Sequence, residues 1–100
     1  MKTKPLTFLL ELTFLFLFSG SVYGQEEVKK EYFDNGKLRS ETHYKNGKEE
    51  GVYKEWYKSG RKKLLRHYKN GIENGLRKEW DENGKLTVQG YFVDGNEEIK

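Results

Sequence analysis

An aromatic residue returns every twelve positions along this chain: Tyr32, Tyr44, Trp56, Tyr68, Trp80 and Phe92. Three or four residues after each comes a glycine, at Gly36, Gly47, Gly60, Gly71, Gly84 and Gly95. A rhythm of this kind narrows the fold to an array of equal short units, each too small to bury a core alone. Five of the glycines follow Asn35, Asn46, Asn70, Asn83 and Asp94, and Ser59 fills the sixth place. Asn-Gly and Asp-Gly supply the positive φ angles of tight hairpin turns. All six glycines are therefore expected to be structural turn residues of one kind. The intervals between them leave strands of about six to eight residues, an ordinary length. Nothing after Gln25 sustains a helical period.

The chain aligns on itself with a 24-residue shift, giving units of about 31–54, 55–78 and 79–100. Successive side chains of a strand point to opposite faces. Even positions read Val28-Lys30-Tyr32, Val52-Lys54-Trp56 and Leu76-Lys78-Trp80, with Leu38 to Tyr44, Leu64 to Tyr68 and Leu86 to Phe92 in the alternate strands. Odd positions are mostly polar, with Phe33, Tyr53, Tyr57, Leu65 and Tyr91 as apolar exceptions. Because the period is even, all six recurring aromatics are expected on one face. The fold class is all-β: a single antiparallel meander of about six strands built from stacked β-hairpins. A charged fraction of 35% and a mean hydropathy of −1.00 would suit a disordered chain. Aromatics at 15%, spaced at a fixed period, argue for a folded one.

The recurring blocks are aromatic–x–x–Asn–Gly–Lys, Tyr-Lys-Asn-Gly-Lys-x-x-Gly and Lys-Glu-Trp-Tyr. They resemble the MORN repeat, in its bacterial variant, over residues 28–100. The resemblance implies an elongated sheet of stacked hairpins. It also implies scaffold or lipid-surface roles, and an antitoxin-like label that the residues do not themselves support. Two positions depart from the pattern: Asp81, where the other units carry Phe33 and Tyr57, and Ile99, where they carry Gly51 and Gly75.

Residues 1–24 read as an address. Lys2 and Lys4 precede a mainly Leu and Phe run from Leu6 to Phe18, and Ser19 to Gly24 offers small residues for cleavage. A signal peptide over 1–24 places the repeat domain, 25–100, outside the cytoplasm, secreted or periplasmic. The alternative is an uncleaved anchor, but the run is shorter than the about 20 apolar residues of a spanning helix and contains Glu11. Cysteine is absent, which excludes disulfides, thiolate chemistry and lipid attachment to an N-terminal cysteine.

Catalysis finds no footing. His43 and His67 recur as equivalents two strands apart, about 10 Å, too far to share one zinc comfortably. Glu49-Glu50 and Glu97-Glu98 sit beside turns, where charge is ordinarily solvated. No cofactor is expected. Basic and acidic residues, 19 and 16, are interleaved, which argues against a nucleic-acid footprint. The candidate partner-binding residues are Lys30, Tyr32, Lys54, Trp56, Lys78 and Trp80. Structurally, each lysine stem covers an aromatic neighbour while its ammonium reaches water. Functionally, three cations about 10 Å apart, backed by rings, form a stripe for an anionic surface. A lone sheet leaves apolar faces and unpaired edges exposed, so self-association or a protein partner is expected. The reading is a non-enzymatic exported module for protein–protein interaction at the cell envelope. The alternatives are anionic lipid or polysaccharide binding through the stripe, and an antitoxin or immunity-like role.

Overall fold

The computed structural model describes residues 25–99. The expected signal peptide lies outside them. The described chain is one antiparallel sheet with strands β1 (Glu26–Tyr32), β2 (Leu38–Lys45), β3 (Lys48–Trp56), β4 (Lys62–Lys69), β5 (Ile72–Glu73), β6 (Gly75–Trp80), β7 (Leu86–Val93) and β8 (Asn96–Glu97). Neighbours follow chain order, β1-β2-β3-β4-β6-β7-β8, with β5 also on β4. β5 and β6 are one expected strand interrupted at Asn74, and β8 is a two-residue addition beyond the expected six. No second layer exists among the described residues; the thinnest dimension is 13 Å.

The hairpins are of two kinds, not one. At Asn46-Gly47, Asn70-Gly71 and Asp94-Gly95 both residues have positive φ, 51–53° and then 82–86°. These are two-residue loops of the mirror-image type that suits the strand twist. At the other three turns only the glycine is left-handed, with φ of 89–99° at Gly36, Gly60 and Gly84. There a longer loop closes with the Phe33 N–H on the Lys37 carbonyl at 2.8 Å and the Gly36 N–H on the Phe33 carbonyl at 2.9 Å. The same pair of bonds recurs from Tyr57 to Arg61 and from Asp81 to Lys85. Each longer loop is followed by a register shift that leaves Arg39, Lys63 or Thr87 as an extra residue in its strand.

The turn geometry overturns the expectation of one aromatic face. A two-residue loop sets Lys45 against Lys48, an odd position against an even one. Residues directly opposite in an antiparallel pair share a face. Val28 therefore lies with His43, Lys30 with Glu41, Lys54 with Leu65, and Leu65 with Lys78. The even period keeps equivalent strands in phase, but every hairpin inverts parity. Tyr32, Trp56 and Trp80 share one face; Tyr44, Tyr68 and Phe92 lie on the other. Leu65 and Tyr91, expected opposite the tryptophans, are on their face, while Tyr53 is on the other.

With one layer there is no core among the described residues. Among the described residues Ser40, at 7% exposed, is the only buried one, and no hydrophobic side chain is buried. Cohesion comes from the ladder, from the stacked turns and from in-plane side-chain contacts. Turns of neighbouring units touch directly: the Gly71 N–H donates to the Glu49 carbonyl and the Gly95 N–H to the Glu73 carbonyl, at 2.9 and 2.8 Å. On the opposite edge the Tyr57 hydroxyl donates to the Trp80 carbonyl at 2.7 Å.

Candidate functional site: the tryptophan face

The triplets Lys30-Glu31-Tyr32, Lys54-Glu55-Trp56 and Lys78-Glu79-Trp80 recur at the ends of β1, β3 and β6. Strand alternation sends each glutamate to one face and its two neighbours to the other. The structure thus places the six candidate residues on one face, with Lys30 and Tyr32 on the edge strand. Lys54, Trp56, Lys78 and Trp80 go further and line a common groove of about 280 Å³ with Leu65 and Lys62. Glu55 borders it too, but its carboxylate is taken on the far side by the Tyr53 hydroxyl and by Lys63.

Two groove residues, Leu65 and Lys62, are not among the six candidates. Leu65 sits between Lys54 and Lys78, paired with both. Lys62 faces Trp56 across the register shift and puts its ammonium 5.2 Å from the centre of the Trp80 ring. The signal for Lys62 was the 13-residue glycine interval, which marks a longer loop with an extra residue after it.

The charges are sorted between the faces. On the face away from the tryptophans, Glu31 accepts from Arg39 at 3.0 Å and from the Ser40 hydroxyl at 3.3 Å. The Arg39 hydrogen bond holds the Glu31 carboxyl below its usual range. Glu73 takes a two-point bond from Arg77, at 2.9 and 2.7 Å, and Arg77 lies 4.5 Å from the centre of the Phe92 ring. That bond raises Arg77 further above its usual value. Burial, reinforced by Glu55, pushes the Tyr53 phenol well up, so it stays protonated across the physiological range. On the tryptophan face the picture is reversed. Among the described residues the ion pairs omit Lys30, Lys54, Lys62 and Lys78 altogether. An acid–base contact of that face among the described residues joins His43 Nε2 to Glu41 at 2.8 Å. His67 turns its Nδ1 to the Leu76 carbonyl at 2.9 Å, which engages it in the sheet. Among the described residues no group of three or more acidic, histidine or cysteine side chains could hold a metal.

The turn glycines lie at both ends of the strands and frame this face without entering it. Comparison with known families places three consecutive matches to the MORN repeat variant at residues 28–46, 49–70 and 73–94. The chain belongs to the MORN repeat variant family. MORN repeats are commonly protein- or membrane-interaction modules and are generally non-catalytic. The matches equal in number the 24-residue units read from the sequence but begin three to six residues before them. Searches of curated proteins and of solved structures found no match.

Proposed function

We propose that this MORN repeat protein is a non-enzymatic interaction module that binds a protein partner at the cell envelope through its tryptophan face. The observation that carries this is the absence of any buried hydrophobic side chain among the described residues, together with a groove between Trp56 and Trp80. Exposed apolar area of that kind marks an interface. Much of it is on this face: Tyr32, Ile72, Leu86, Tyr91 and Val93 are all exposed there, against Val88 on the other. The compartment follows from the address-like character of residues 1–24, and intact mass of the exported protein should lack them. Photo-cross-linking in cells tests the face itself. A benzoylphenylalanine at position 32, 56 or 80 should yield one protein adduct, whereas one at 44 or 68 should yield none. Adducts from 44 or 68 alone would contradict the assignment.

The second reading, an anionic lipid or polysaccharide surface, draws on Lys30, Lys54, Lys62 and Lys78, which form no ion pair among the described residues. Such binding should collapse with rising salt, and it should occur without any protein adduct.

A further inference from the structure

Three lysines in one groove without a counter-ion are an unsettled arrangement. Lys54, Lys62 and Lys78 line the same small space, repel one another, and find no carboxylate within 4.0 Å among the described residues. The same units settle their charge on the other face, where Glu31, Glu55, Glu73 and Glu79 each have a basic partner. A second copy stacked squarely on this face would bring its own lysines toward these, which disfavours this chain as the occupant. The occupant carries negative charge.

The row across the strands gives its spacing. Lys54, Leu65 and Lys78 stand on three adjacent strands in direct register. They read cation, apolar, cation, with the cations about 10 Å apart and the leucine midway. A helix rises about 1.5 Å per residue, so positions i and i+7 are about 10.5 Å apart on one side, with i+3 and i+4 between them. An extended strand puts same-side residues about 6.7 Å or 13 Å apart and matches less well. Trp56 and Trp80 stand in the next row on one side, two residues beyond Lys54 and Lys78, and offer apolar surface to one shoulder of the helix.

We propose that the groove receives an amphipathic acidic helix of a partner protein, with carboxylates at i and i+7 and apolar residues at i+3 and i+4. This rests on the tryptophan face being the interaction surface. A helix laid on a bare sheet also completes the two-layer packing that stable β architectures use. Two competing occupants fit less well. A planar bilayer would meet the exposed Lys54 and Lys62 before the tryptophans, which are partly shielded. A sugar ring needs a free aromatic face, and that of Trp80 already carries the Lys62 ammonium.

Trp56 and Trp80 are the only tryptophans, so their emission reports on the groove directly. The purified protein is titrated with a helical peptide bearing Glu at i and i+7 and Leu at i+3 and i+4. A scrambled peptide, phosphatidylglycerol vesicles and polygalacturonate are run in parallel. The patterned peptide should shift the emission to shorter wavelength, and its Kd should rise at least about tenfold between about 0.05 and 0.3 M salt. Joint Lys54→Gln, Lys62→Gln and Lys78→Gln should abolish the shift. The joint Lys→Glu variant, folded by circular dichroism, should instead answer a peptide with Lys in place of Glu. An equal response to the scrambled peptide, retention by the glutamine variant, or a shift with vesicles or polygalacturonate alone would overturn the helix proposal. Those outcomes leave the interaction face standing if cross-links still form at 32, 56 or 80; loss of those cross-links removes both.

Discussion

At the scale of single residues, ion pairs differ more in shielding than in distance. Arg77 and Glu73 keep only 24% and 11% of their side chains exposed, whereas Lys58 and Asp34 keep 62% and 72%. Replacing Arg77 with Ala leaves a shielded carboxylate without its partner and uncovers Phe92, which should cost about 2–3 kcal/mol. Lys58→Ala should stay within about 0.5 kcal/mol. Urea unfolding of the two variants measures both. Glu31 supplies a pH test. Its folded value lies below its unfolded one, chiefly through the Arg39 hydrogen bond. Such a group adds stability that is present above the unfolded value, about 4.3, and lost as pH falls through the folded one. Glu31→Gln should therefore lower stability at neutral pH and lessen its decline below about pH 4. Gly75 is a third case. It has φ +127°, and an added Cβ would come 3.0 Å from the Cβ of His67. Gly84, at φ +89°, has only the Arg61 guanidinium near it, at 3.8 Å. Gly75→Ala should be the more damaging of the two, by about 1 kcal/mol or more.

At the scale of the hairpin, the two turn types make separate demands. Asn70 and Gly71 both sit at positive φ, so Ala at both should cost about 2–4 kcal/mol. Asn35 is not left-handed; its side chain accepts from the Lys37 N–H at 2.9 Å, and Asn35→Ala should cost about 1 kcal/mol. Thermal or urea midpoints of the two variants separate the classes. The hairpin is also the scale at which the sequence is legible for the strands and opaque for the faces. The strand positions, the repeat and the turn glycines followed from local chemistry, because Gly and Asn mark positive φ wherever they occur. The alternation of 11- and 13-residue glycine intervals already separated the turns. Its consequence for the faces was missed because parity was carried along the chain, whereas the hairpin registers decide it. Trp56 and Trp80 stayed together only because a full repeat separates them. Leu65 and Lys62 entered the groove from the intervening strand, which no along-chain count could place there.

At the scale of the molecule, the sheet is a sorting device for charge. Each Lys-Glu-aromatic triplet puts its acid on a face that neutralises it and its base on a face that does not. The result is a single layer with one surface on which the triplet acids are paired and one whose lysines are left for an anionic, partly apolar partner. Quenching of tryptophan emission tests this division most directly, since both tryptophans lie on the second surface. Relative to the quenching of free tryptophan by each ion, iodide, drawn to the lysines, should quench them far more strongly than caesium, and joint Lys54→Gln, Lys62→Gln and Lys78→Gln should remove most of that difference. Equal relative quenching by the two ions in the unaltered protein, or tryptophans shielded from both, would contradict an open cationic tryptophan face.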